Sequence, residues 1–206
     1  MRGLFIVFEG IDGSGKTTQV SRLALSLRNA GRRVHTTYEP TSGPAGSLLR
    51  LYLERRMSLD PRSLPYLFAA DRADHVYNGE NGILAALDAG MDVLCDRYML
   101  STFAYQAGQA SLPLLETLNA EFPLPDLTFF MEVDPQRGMA RKAAQRAYAD
   151  VTETMDQQRT AALHFATALE RHGERHRVQR LDAFALGIDG CAAEVWRHVS
   201  PLLQAS

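Results

Sequence analysis

The hydrophobic positions of this chain fall into short unbroken runs separated by longer stretches with helical spacing. The runs are LFIVFEG (4–10), RVHTTYEP (33–40), MDVLCD (91–96) and DLTFFMEVD (126–134), and HRVQRLDA (176–183) predicts a fifth element of the same kind. Runs of this length, rich in β-branched and aromatic residues, predict strands buried on both faces. Between the first two runs, Val20, Leu23, Leu25 and Leu27 recur at roughly helical spacing, and Gly31 follows as a helix-end signal. The segment SGPAGSLLRLYLERR begins as a loop and continues as a basic helix. Residues 63–90 predict a long, mostly helical stretch closing at Gly90, and RYMLSTFAYQAG (97–108) predicts another helix. Residues 113–125 form a Pro-punctuated region, and a last helix carries Val195, Trp196, Val199 and Leu202. Alternation of strand and helix predicts an α/β fold with a five-stranded parallel sheet and helices on both faces. With no repeat, low-complexity tract or linker, residues 1–206 read as a single domain.

Composition narrows this picture. A hydrophobic share of 46% in 206 residues suffices for one sizeable core. A net charge of −2 supplies no basic field, which excludes a nucleic acid polymer as the expected partner. Cys95 and Cys191 are far apart and lack metal-ligand spacing, so they read as buried thiols in a reducing compartment. The N-terminal apolar run leads straight into a glycine-rich turn, which a cleaved leader would sacrifice. No stretch reaches the ~18 apolar residues of a membrane span. The expectation is a soluble cytoplasmic protein without membrane partners.

The chemistry begins in FEGIDGSGKTTQ (8–19). Gly10 through Thr17 match G-x-x-x-x-G-K-T, placed between a predicted strand and a predicted helix as a phosphate cradle requires. Gly10, Gly13 and Gly15 let backbone N–H groups converge on an oxyanion, with Asp12, Ser14 and Thr18 in the same loop. The helix start adds its positive end. Lys16 is expected to reach the β/γ-phosphates of ATP and the Thr17 hydroxyl to ligate Mg²⁺. Such a loop serves kinases, hydrolases and switches alike.

Three further stretches bear on the reaction. In DRY (96–98), at the carboxyl end of the third strand, Asp96 can position Mg²⁺ or its waters and Arg97 can grip a second phosphate bidentately. In LFAADR (67–72), Phe68 and Arg72 lie four apart on one helix face, where a ring and a guanidinium can stack a base and bond its carbonyl. In STFAYQ (101–106), Tyr105 and Gln106 stand on the helix leaving the same sheet edge.

Together, FEGIDGSGKTTQ, LFAADRADHV, CDRYMLSTFAYQ and PDLTFFMEVDP resemble, in order and spacing, the motifs of thymidylate kinases. The resemblance implies a P-loop nucleoside-monophosphate-kinase-like fold with a small helical lid and a homodimer packed through helices. It implies transfer of the ATP γ-phosphoryl group to dTMP, giving dTDP and ADP, with Mg²⁺. It further implies that Asp12 touches the acceptor, Phe68 stacks on thymine and Arg72 donates to its O4. Arg97 would then hold the acceptor phosphate, Tyr105 crowd the sugar 2′ position and Gln106 read the base edge.

The family's lid falls on GMARKAAQRAYADVTE (138–153), where Arg141, Lys142 and Arg146 supply charge. Because Ile11–Ser14 contains no arginine, Arg141 or Arg146 is the expected transition-state cation. Two positions depart from the family pattern: Val151 stands in DVTE where an arginine is common, and Tyr38 replaces an arginine in YEPTSGP. The alternatives these departures raise are another deoxynucleoside or nucleoside-monophosphate kinase, and a catalytically degenerate nucleotide-binding relative. His164, His172 and His176, among charged neighbours, read as an exposed helix end, and Arg50, Arg55 and Arg56 as a solvated helix face, with assistance to phosphate binding as the alternative for Arg50.

Overall fold

The computed structural model describes residues 2–145 and 154–203. Among them, β1 (Phe5–Glu9), β2 (Val34–Tyr38), β3 (Asp92–Asp96), β4 (Leu127–Glu132) and β5 (Val178–Asp182) form one parallel sheet in the spatial order β2-β3-β1-β4-β5. The helices are α1 (Lys16–Asn29), α2 (Pro44–Leu53), α3 (Leu64–Tyr77), α4 (Ile83–Asp88), α5 (Met99–Tyr105), α6 (Leu112–Asn119), α7 (Pro135–Gln145), α8 (Met155–His172) and α9 (Gly187–Val199).

Every residue of β1 is buried, which is why its run shows no polar alternation. Its side chains still diverge by parity. Phe5 and Val7 pack with Val93, Cys95 and Phe130, while Ile6 and Phe8 pack with Leu94, Phe129 and Met131. The first cluster is completed by α3 to α6 and α8, through side chains such as Val76, Leu87, Phe103 and Phe165. The second is completed by Val20, Leu23 and Leu27 of α1 and by Cys191, Val195 and Val199 of α9. A fully buried side chain such as Phe8 or Leu94 contributes roughly 1.5–3 kcal/mol relative to exposure.

The structure corrects the sequence reading in three places. The helical stretch 63–90 is broken after Tyr77, where the Asn78 side chain accepts from the Glu80 N–H at 3.0 Å and turns the chain before α4 begins. The Pro-punctuated region contains α6, because Pro113 sits in its first turn, where no backbone donor is required. The late histidines are not exposed: His172 stacks on Phe103 with ring centroids 4.3 Å apart, and His176 is only 3% exposed.

Burial, aided by His172, lowers the His176 pKa to about 4, against an ordinary histidine near 6.5. Between those values the unfolded chain binds the extra proton, so stability is complete above about pH 6.5 and is lost as pH falls toward 4. The gap corresponds to about 3 kcal/mol. Urea unfolding measured from pH 7.5 down to 4.5 is expected to show this decline, and a His176→Gln variant is expected to flatten it.

Parallel pairing brings the carboxyl ends of β1 and β3 to one edge, with Phe8 in register with Asp96. Ligands of open α/β sheets bind in the crevice at that edge. No helix among the described residues is long and apolar enough to cross a membrane.

Candidate active site

The phosphate loop leaves β1 at Gly10 and enters α1 at Lys16. Gly15 caps α1 with φ 95°, a left-handed conformation that costs glycine nothing. Gly13 has φ 74°, and a Cβ there would lie 1.9 Å from the carbonyl oxygen of Gly138 in α7. The loop and the first turns of α7 therefore touch backbone to backbone. Lys16 donates to the Ile11 carbonyl at 2.9 Å, folded over its own loop. Burial, with Arg97 nearby, lowers its pKa to about 8. The loop residues Asp12 to Thr18 line a cavity of about 420 Å³, together with Arg141, Ala183, Ile188 and Cys191.

Arg97 stands between this cavity and a second one. Its backbone is left-handed, φ 72°, and its N–H donates to the Phe8 carbonyl at 2.9 Å. The guanidinium pairs with Asp12, donates to Gly10 O at 3.1 Å and Ser101 Oγ at 3.2 Å, and lies 5.0 Å over the Tyr105 ring. Beneath it lies Glu9, fully buried at the end of β1. Its carboxylate accepts from Tyr98 N (2.9 Å), Ser101 N (3.0 Å) and Ser101 Oγ (2.5 Å). Burial raises the Glu9 pKa against those bonds. Glu9 thus fixes the start of α5, the helix that carries Ser101 and Tyr105 and is capped by Gln106.

The second cavity, about 1050 Å³, shares Asp12 and Arg97 with the first. Phe68, Arg72, Tyr105 and Gln106 all line it. Arg72, 2% exposed, stacks over Tyr98 at 4.8 Å. Its Nε and Nη2 donate to Glu39 at 3.0 and 2.5 Å, and Nη1 donates to Asn119. Of five guanidinium N–H groups, that leaves two for a ligand. Glu39 also contacts His75 Nδ1 at 3.0 Å, and His75 Nε2 meets the Thr37 hydroxyl at 2.7 Å. Burial opposes the Glu39 charge, yet Arg72 and His75 outweigh it and hold this carboxyl below its ordinary range. Glu39→Gln would leave a buried guanidinium without its counter-charge, and urea unfolding is expected to show a loss of roughly 3–5 kcal/mol. Gln106 is 2% exposed and its Oε1 finds no partner among the described residues, as does Thr102 Oγ1 on the same wall.

Thr17 Oγ1 donates to Asp96 Oδ2 at 2.5 Å, and Asp96 Oδ1 is buried without a partner among the described residues. Two hard oxygens with spare lone pairs at the cradle suit Mg²⁺. No cluster of three His, Cys, Asp or Glu among the described residues forms an all-protein cage. An ion held largely by substrate phosphates and water needs none.

The structure thus gathers Gly13, Ser14, Gly15, Lys16, Thr17, Thr18 and Asp96 on one cavity, and Phe68, Arg72, Tyr105 and Gln106 on the other, with Asp12 and Arg97 shared. Gly10 stands behind the loop as an acceptor for Arg97. Arg141 lies at the first cavity, where its Nη2 donates to Ala183 O at 3.3 Å. Arg146, Asp150, Val151, Glu153 and the side chain of Lys142 lie outside the described residues. Tyr38 is half exposed, with Arg50 5.5 Å over its ring. Arg50 is no solvated cation: it donates to Pro40 O at 2.9 Å and also to Thr41 O, bracing the loop after β2. Glu9, Glu39, Asn119, Ser101 and Thr102 are participants that the sequence reading missed or left as ordinary. A glutamate inside an apolar run was the available signal for Glu9, since a buried carboxylate requires several donors.

Comparison with known proteins adds to this geometry. The sequence model of the thymidylate kinase family matches residues 8–183. Three relatives bearing the name thymidylate kinase align with nearly the whole chain. That of Solidesulfovibrio magneticus is 37% identical over 97% of this chain and 100% of its own. That of Deinococcus radiodurans is 38% identical over 97% of each chain. That of Thermomicrobium roseum is 37% identical over 97% of this chain and 96% of its own.

Proposed function

The chain belongs to the thymidylate kinase family, and on that premise we propose that it transfers the γ-phosphoryl group of ATP to dTMP, giving dTDP and ADP. The observation that carries this reading is the meeting of two cavities at Asp12 and Arg97. A phosphate cradle lies on one side, and on the other a cavity lined by Phe68, Arg72, Tyr105 and Gln106. Phosphoryl transfer needs little more than this, because catalysis is mainly positioning and charge neutralisation.

Backbone N–H groups of Gly13 to Thr18, with Lys16, hold the ATP phosphates. Arg141 serves the donor side, beside Ala183 and Ile188. Arg97 holds the dTMP phosphate, and Asp12 fixes Arg97 and approaches the acceptor. A dTMP phosphate oxygen attacks the γ-phosphorus while the bond to the β–γ bridging oxygen breaks, and ADP departs with that electron pair. No general base is required, since the attacking oxygen is already ionised near neutral pH. Phe68 stacks on thymine, Arg72 offers its two remaining N–H groups to O4, Gln106 reads the base edge and Tyr105 crowds the 2′ position. Thr17 and Asp96 would hold Mg²⁺, which when bound neutralises and orients the phosphates. Arg146 remains the second lid cation of this proposal. Closure over the site excludes water that would waste ATP.

The same reading makes the protein a single-domain cytoplasmic enzyme that works as a homodimer. Exposed Leu48 and Leu53 of α2 and Tyr66 and Tyr77 of α3 support pairing through helices. Phosphorus NMR of a mixture with Mg·ATP and dTMP tests the reaction. ADP and dTDP are expected in equal amounts, and ADP without dTDP would overturn the proposal.

A further inference from the structure

His164, on α8, lines the larger cavity together with Ala104 and Gly108. Its Nδ1 lies 2.9 Å from the Ala104 carbonyl oxygen. A carbonyl only accepts, so Nδ1 carries the proton in that contact. In the neutral imidazole this leaves Nε2 as a bare acceptor on the other edge of the ring, and the residue lines the larger cavity. The hydrogen bond also ties α8 to α5, the helix that bears Tyr105 and is capped by Gln106, and the Tyr105 and Phe165 rings meet edge to face 5.8 Å apart beside it. The imidazole is therefore held at a fixed place and in a fixed tautomer by its own neighbours, as a preorganised ligand-binding group should be.

We propose that His164 is a further binding residue for the acceptor nucleotide, its Nε2 accepting a hydrogen bond from a donor group of the pyrimidine nucleotide. This inference rests on the acceptor role given above to the larger cavity. The chemistry of the wall favours it. Gln106 and Thr102 line the same cavity, and their Oε1 and Oγ1 are buried without partners among the described residues, two oxygens able to accept. A thymine ring offers one strong donor, N3–H, and the sugar offers its 3′-hydroxyl. An acceptor locked at Nε2 adds affinity for such a ligand and repels a group that presents a lone pair in the same place.

Substitutions that separate the two ring nitrogens test this. His164→Asn places an amide N–H near the position of Nδ1, keeping the tie to Ala104 and removing the acceptor in the cavity. His164→Gln places its amide near Nε2 and loses the tie. Melting temperature, dTMP binding by calorimetry, kcat and both KM values are measured for wild type and both variants. The Asn variant is expected to keep the wild-type melting temperature, kcat and KM for ATP while KM for dTMP rises about tenfold. The Gln variant is expected to melt lower yet retain more of the dTMP affinity than Asn. An Asn variant with unchanged KM for dTMP overturns the proposal. So does a pair of variants whose dTMP affinity follows melting temperature alone, since His164 would then only join two helices. Failure of the wild-type protein to bind dTMP would instead overturn the acceptor role of the cavity, and this inference with it.

Discussion

Lys16→Met is expected to lower kcat by about 10³-fold or more while leaving the fold intact. Lys16 is the one side-chain cation of the loop itself, and in the structure its ammonium rests on the Ile11 carbonyl. Burial, with Arg97 nearby, has lowered its pKa to about 8, so Asp96, Asp12 and Glu9 compensate the charged form only in part until a further anion arrives. Phosphates supply that counter-charge, and the gain is largest where charge spreads in the transition state. The same argument fixes the sign of a pH effect. Binding ATP favours protonated Lys16, so the affinity of the wild-type enzyme is expected to decline as pH rises above about 8. ATP titrations between pH 7 and 9.5 check this, and the Met variant is expected to lose the dependence. A Met variant with undiminished kcat would remove Lys16 from the chemistry.

Arg97→Lys is expected to reduce kcat/KM for dTMP by roughly 10²- to 10³-fold with little change in ATP affinity. The guanidinium reaches Asp12, Gly10 O and Ser101 at once while stacking on Tyr105. A lysine ammonium retains the charge but cannot span these partners and present a flat two-point face to a phosphate. Steady-state kinetics with each substrate varied in turn measures the split. Equal losses in KM for ATP and for dTMP would mean that Arg97 serves the shared loop and not the acceptor.

Much of this architecture was legible in the sequence. The central strands are unbroken apolar runs because both their faces are covered, and the cradle is a local motif whose glycines have backbone reasons to be there. Phe68, Arg72, Arg97, Tyr105 and Gln106 were accessible because each lies in a short motif. What escaped was non-local. Glu9 meets Tyr98 89 positions away, Arg72 meets Asn119 47 positions away, and His164 meets Ala104 60 positions away. No spacing rule links such pairs, since they are neighbours only after the parallel crossovers bring β1, α5, α6 and α8 together. The helix α6 was hidden by Pro113, a residue that breaks helix interiors but suits a first turn. His172 and His176 were hidden by the charged residues around them, which hold the solvent face while the imidazoles turn inward.

The two cavities meeting at Arg97 suit this chain to phosphorylate dTMP. The most direct measurement is kcat/KM with Mg·ATP for a panel of dTMP, dUMP, UMP, dCMP and thymidine, following ADP and the phosphorylated product together. dTMP is expected to be the best acceptor, with dCMP disfavoured at Arg72, UMP at Tyr105 and thymidine for want of a phosphate at Arg97. Stronger turnover of dCMP, UMP or thymidine, or ATP binding with no turnover of any acceptor, would contradict it.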